Sequence, residues 1–146
     1  MDYTTFTVYG EPKGKGRPRF ARTPKGVRTY TPKETELSEA RIAWTFGAEG
    51  KGFFAEAGVP VSIVITAYMG IPASSSKKAK VQMAAGEIRP TKKPDWDNIG
   101  KLVTDALNGL AWHDDAQIVE SVVIKEYTAE KPRIEIRISK KGFGKI

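Results

Sequence analysis

The chain is 146 residues long, 40% hydrophobic and 28% charged, with 24 basic against 17 acidic side chains and no cysteine. That length suits one domain of about 100–200 residues, with a core large enough to fold without a disulfide or zinc staple. Thiol nucleophiles, thiolate zinc sites, iron–sulfur clusters and disulfides are excluded, and the lone His113 excludes a multi-histidine metal site within one chain.

Residues 4–9 are rich in β-branched and aromatic side chains and predict a strand that Gly10 ends. Residues 10–18 carry Pro12, Pro18, Gly14 and Gly16, which remove donors and weaken pairing, so they predict a loop. A short strand is expected at 28–31. Pro32 opens a helix over 33–48. Its buried stripe is expected from Leu37, Ala40, Ala43 and Trp44, with Arg41 inside that stripe and Ile42 and Phe46 outside it. An apolar run between Pro60 and Gly70 predicts a buried strand at 61–69. A lysine-bearing helix follows over 74–85, ended by Gly86. The clearest helix spans 97–108: Ile99, Leu102, Val103 and Ala106 recur at helical spacing, Asp97 is placed as its N-cap and Gly109 stops it. Strands at 117–127 and 133–139 close the chain, the second alternating Ile134, Ile136 and Ile138 against Glu135 and Arg137.

No repeat or long linker divides this order. The expected fold is α+β: a single small domain over 1–146, a mixed β-sheet packed by about two to three helices. The N-terminus lacks a basic segment followed by an apolar one, and 59–69 falls well short of the ~20 apolar residues of a membrane span. A cytoplasmic location without a membrane partner is expected.

The positive charge is concentrated. Between Glu11 and Lys33 lie Lys13, Lys15, Arg17, Arg19, Arg22, Lys25, Arg28 and Lys33, opposed by Glu11 alone. A second run, Lys77, Lys78, Lys80, Arg89, Lys92 and Lys93, is opposed by Glu87 alone. Both are broken by Gly, Pro or Ser, so much of the charge is expected on loops, a form that suits a polyanion such as DNA. Basic loops that only aid solubility are the plainer alternative.

The acids are concentrated too. Apart from Asp2, every aspartate lies between residues 95 and 115. Asp95 and Asp97 share a side if the chain is extended there. Lys101 and Asp105 follow Asp97 at helical spacing, and the return to the sheet is expected to bring Asp114 or Asp115 back beside the first pair. Clustered carboxylates repel unless a cation sits among them, and a hard divalent ion such as Mg2+ or Mn2+ prefers oxygen ligands. Near a gripped phosphodiester such an ion activates water, and Lys101 is placed to stabilise developing charge. Ordinary roles stay open: Asp97 as a cap, Asp95 and Asp114 in turns, Lys101 in a surface ion pair. Phe20, Trp96 and Trp112 flank these charged motifs; core packing is expected for each, with base stacking as the alternative.

Three blocks carry a resemblance: Lys93-Pro94-Asp95-Trp96-Asp97-Asn98-Ile99-Gly100-Lys101, Asp105-Ala106-Leu107-Asn108-Gly109 and Asp114-Asp115-Ala116-Gln117-Ile118. In order and spacing they resemble the RusA family of Holliday-junction resolvases. The segment from Gly10 to Phe20, with Lys13, Lys15, Arg17 and Arg19, is similar to that family's other signature. The resemblance runs over essentially the whole chain. It implies a homodimeric, magnesium-dependent endodeoxyribonuclease, without an organic cofactor, that nicks two opposed strands of a four-way junction in DNA recombination and repair. By motif position, Asp95, Asp97 and Asp115 match the essential acids and metal ligands, and Lys101 the catalytic lysine. Lys13, Lys15, Arg17, Arg19, Arg22, Lys92 and Lys93 are the expected DNA-binding residues. Asp114 matches the first acid of its pair, Gly100 stands where a larger residue is common, and His113 lies outside the pattern. A two-fold dimer supplies two identical sites to a junction of approximate two-fold symmetry. Bacterial or phage DNA in the cytoplasm is the implied setting. A non-catalytic branched-DNA binder, and a nuclease acting on flaps or forks, remain as alternative readings.

Overall fold

The alternation at the end of the chain organises the sheet. In a computed structural model, which describes residues 1–143, β1 (Tyr3–Tyr9) and β4 (Val61–Gly70) flank β6 (Arg133–Ser139) antiparallel, and β5 (Ile118–Thr128) joins β4 in parallel. The resulting four-stranded mixed sheet has the order β1-β6-β4-β5. Ile134, Ile136 and Ile138 turn one way and meet Phe6, Val8, Ile63, Ile65 and Ala67 in the core, as period-two alternation requires. Glu135 and Arg137 point to the other face, where the Arg137 guanidinium lies 4.6 Å from the Tyr3 ring centre.

Among the described residues three α-helices complete the body: α1 (Lys33–Glu49), α2 (Lys77–Ala84) and α3 (Trp96–Leu107). The α+β architecture read from the sequence is the one observed. Helix α3 buries Ile99, Leu102, Val103, Ala106 and Leu107, the predicted stripe extended by one residue. The α1 prediction fails in its facing. The buried residues are Thr35, Ile42 and Phe46, with Phe46 meeting the Phe6 ring edge-on at 5.5 Å, whereas Leu37 and Trp44 are exposed. Apolar residues lie all round this helix, so periodicity alone did not choose a face; docking on β1 and α3 did.

Two strands went partly unread. β2 (Arg19–Thr23) and β3 (Gly26–Tyr30) form a separate antiparallel ribbon that leaves the body between Pro18 and Thr31. Nearly every residue of it is exposed, so β2 carries no hydrophobic alternation to betray it. Among the described residues no helix is long and apolar enough to cross a membrane.

Candidate active site

Helix α3 starts where Asp95, in extended conformation, accepts the Ile99 N–H at its carbonyl, 3.0 Å away. The N-cap is therefore Asp95 and not Asp97. Asp97 sits in the first turn, its Oδ1 accepting the neighbouring Asn98 N–H at 3.0 Å. Both aspartates and the intervening Trp96 are exposed, Trp96 to 65%. The positive end of the helix favours the two carboxylates there.

The glycine-rich basic loop is laid across this end of the helix. The Lys15 N–H donates to the Asn98 carbonyl at 2.8 Å. At Gly14 an added Cβ would fall 3.0 Å from the side chains of Asn98 and Pro94, so a bare backbone allows this close approach. A few residues on, the Gly16 N–H donates to the buried Thr35 hydroxyl at 3.1 Å. The second basic loop is fixed from the sheet: the Lys125 ammonium donates to the Lys92 carbonyl at 2.6 Å, and Arg89 donates to the Lys125 carbonyl and pairs with Glu126 at 3.1 Å.

Between the two loops opens a cleft of about 840 Å³ that brings Lys13, Lys15, Arg17, Lys92 and Lys93 together with Asp95, Asn98 and Glu11. Residues from separate stretches of the chain thus share one wall. Arg17 and Arg19 also line a neighbouring groove at the foot of the ribbon, and Arg22 is carried out along β2.

One of the predicted DNA contacts is engaged within the protein. The Lys15 ammonium is bonded to Glu39 and lies 3.3 Å from Asp105. Burial pulls its pKa down, but the hydrogen bonds and attraction of those two carboxylates outweigh that and hold it above the usual lysine value. In this arrangement Lys15 pins the loop to α1 and α3.

Asp105 takes a second cation, Lys101, at 3.4 Å one helical turn away. The chain then turns back. Trp112, fully buried, donates its indole N–H to Asp115 Oδ1 at 2.7 Å and so orients that carboxylate. Burial raises the Asp115 pKa most; the charges of Asp105 and Asp114 raise it further, against the Trp112 hydrogen bond and the attraction of Lys101. Asp114 shapes the turn itself. Its side chain accepts the Ala116 N–H at 3.2 Å, while the Gln117 side chain accepts the Asp114 N–H at 2.8 Å, a reciprocal cap. Gln117 also donates to the carbonyls of Ala55, Glu56 and Val59. His113 is exposed.

Asp95 and Asp97 stand at the start of α3, and Asp115 stands on the turn beyond its other end. Among the described residues no three His, Asp or Glu side chains form a group able to hold a metal ion. The cause lies in the helix. A rise of about 1.5 Å per residue puts Asp105 roughly 12 Å beyond Asp97, and the chain re-enters the sheet from the far end of α3. Asp115 therefore arrives within the field of Asp105 and Lys101. The aromatic expectation divides: Trp112 packs in the core, while Trp96 and Phe20 are exposed, Phe20 to 73%.

Two comparisons with known proteins bear on this site. The family model for endodeoxyribonuclease RusA matches residues 9–139 and so spans the basic loop, the whole of α3 and the Asp114–Asp115 turn. The uncharacterized protein YqaN of Bacillus subtilis (strain 168) is 39% identical over 140 residues, which cover 94% of this chain and 96% of that protein.

Proposed function

The chain belongs to the RusA endodeoxyribonuclease family, and from that premise we propose that it is a divalent-metal-dependent nuclease resolving four-way DNA junctions by paired nicks. The observation that carries this reading is the cleft in which the cations of two loops face Asp95 at the exposed start of α3. Lys13, Arg17, Lys92 and Lys93 grip phosphates there, and the counterions released make binding fall steeply with salt. Shape and deformability of the branched DNA, more than base edges, then select the substrate.

The donor chemistry fits a hard divalent cation, since the acids offer oxygen ligands. Asp95, Asp97 and Asp115, drawn together around the ion, are the residues that would hold it, with magnesium the first choice and manganese the second. Such an ion, when bound, polarises a phosphodiester oxygen and lowers the pKa of water. The chain's own groups do the remaining work. Trp112 fixes the orientation of Asp115, and Asp105 parks the Lys101 ammonium. The Lys101 side chain, 63% exposed, is free to swing toward charge developing on the scissile phosphate. A second copy related by a two-fold axis provides the second nick.

One observation favours a different reading, junction binding without cleavage: the absence of a three-carboxylate group among the described residues. Incubating the protein with an end-labelled four-way junction and magnesium separates the two. The nuclease gives symmetric paired nicks, lost in Asp97→Asn while binding persists. Binding with no nick, under magnesium and manganese alike, overturns the nuclease. Competition by forks, flaps and linear duplex reports whether the four-way junction is the preferred substrate.

A further inference from the structure

The β2–β3 ribbon has no buried face. Phe20 is 73% and Val27 67% exposed, and every residue of β3 is exposed. An isolated two-stranded ribbon is marginal in water, so this one is built to be covered by something else. Its base is firm, because Gly16 is bonded to Thr35 and Pro32 begins α1 immediately after the ribbon returns. Five residues per strand give a reach of about 17 Å.

The charge on the ribbon identifies the cover. Arg19, Arg22, Lys25 and Arg28 lie on it without a single acid from residue 19 to 30. Among the described residues none of the four enters an ion pair. Directly opposed residues share a face, so Arg19, Tyr30, Ala21 and Arg28 point one way and Phe20, Thr29, Arg22 and Val27 the other, with Lys25 at the tip. Cations therefore stand on both faces. A ribbon laid flat on a protein surface would segregate apolar from charged residues. One set between two phosphate walls would not. The major groove of B-DNA, about 12 Å wide, admits a two-stranded ribbon, and Phe20 and Val27 suit the sugar and thymine-methyl surfaces inside it. Basic surface is also continuous from the cleft, since Lys13 and Arg17 line both the cleft and the groove at the ribbon's foot.

We propose that the β2–β3 ribbon is a duplex-gripping arm, lying in the major groove of a DNA arm that leaves the cleft, with Arg19, Arg22, Lys25 and Arg28 against the flanking phosphates. The proposal rests on the reading that DNA occupies the cleft, and it does not depend on cleavage.

The test compares wild type with the triple variant Arg22→Ala, Lys25→Ala, Arg28→Ala on a four-way junction in EDTA, where nothing is cut. Affinity is expected to fall at least tenfold. The slope of log affinity against log salt should shrink by about two to three, each neutralised phosphate contributing about 0.9. Dimethyl sulfate footprinting should show guanine N7, which lies in the major groove, protected on a junction arm by wild type and released by the variant. The charge-keeping variant Arg22→Lys, Arg28→Lys retains the slope; if it loses as much as the alanine variant, phosphate contact is not the cause and the proposal falls. Unchanged affinity and slope, protection of adenine N3 in place of guanine N7, or a triple variant altered in sedimentation, as an arm clasping a second subunit would be, each overturn it. A wild type that binds the junction but never nicks it under magnesium sinks the nuclease reading and leaves the arm standing; a triple variant that binds and cuts like wild type does the reverse.

Discussion

At the first turn of α3, Asp95, Trp96 and Asp97 stand exposed, and among the described residues neither acid enters an ion pair. Two to three turns on, Asp105 is shared by Lys15 and Lys101, Lys15 also holds Glu39, and Asp115 is tied to the buried Trp112. The same residue types thus meet opposite treatment at the two ends of α3. Charges whose partners are supplied by the chain hold the loop, the helix and the return turn together. Asp95, by contrast, faces a cleft rimmed by lysine and arginine without an ion-pair partner among the described residues.

Substitutions at the two ends should separate these roles. The largest effect is expected at the open end. Asp97→Asn should lower junction cleavage by about 10²–10³-fold, the scale of losing one electrostatic stabiliser of the transition state, with junction affinity and melting temperature unchanged. A melting temperature that falls with the activity would make Asp97 a structural residue and erase the contrast. At the closed end, Trp112→Phe keeps most of the ring but removes the donor to Asp115. A loss of about 1–3 kcal/mol in stability is expected by urea denaturation, and a neutral result would mean that Asp115 is held by other means.

Lys15→Met tests the pin on the loop. It leaves Glu39 and Asp105 short of a cation and should cost about 1–2 kcal/mol. Because the Lys15 pKa is raised on folding, its contribution is complete below the ordinary lysine value and disappears as pH climbs through the raised one. Wild type and variant should therefore differ at neutral pH and converge in strong alkali; a gap that persists there points to lost packing rather than lost charge. The smallest effect is expected for Trp96→Ala. Stacking one unpaired base is worth about 1 kcal/mol or more, so junction affinity should fall about fivefold while linear duplex binding holds. Equal weakening on both substrates would remove Trp96 from the crossover.

Much of the architecture was legible because local patterns and tertiary demands agreed. The isoleucines of β6 alternate since one face of that strand is buried between β1 and β4. The α3 stripe reads cleanly because its opposite face carries Asp97, Lys101 and Thr104. The α1 facing was illegible for the converse reason: Leu37 and Trp44 are as apolar as Ile42 and Phe46, and only contact with Phe6 and α3 decides between them. β2 stayed hidden because an exposed strand has no periodic apolar signal to show.

By itself the sequence determined the α+β class, the two basic runs and the motif residues Asp95, Asp97, Lys101 and Asp115, all properties of short stretches whose chemistry is written in neighbouring letters. Which of those charges are already answered was decided only in three dimensions. Lys15 meets Asp105 and Glu39, and Trp112 meets Asp115, through the crossing of α1, α3 and the return to β5. Coulomb attraction and hydrogen bonding act over a few ångströms of space, and distance along the chain does not report that separation.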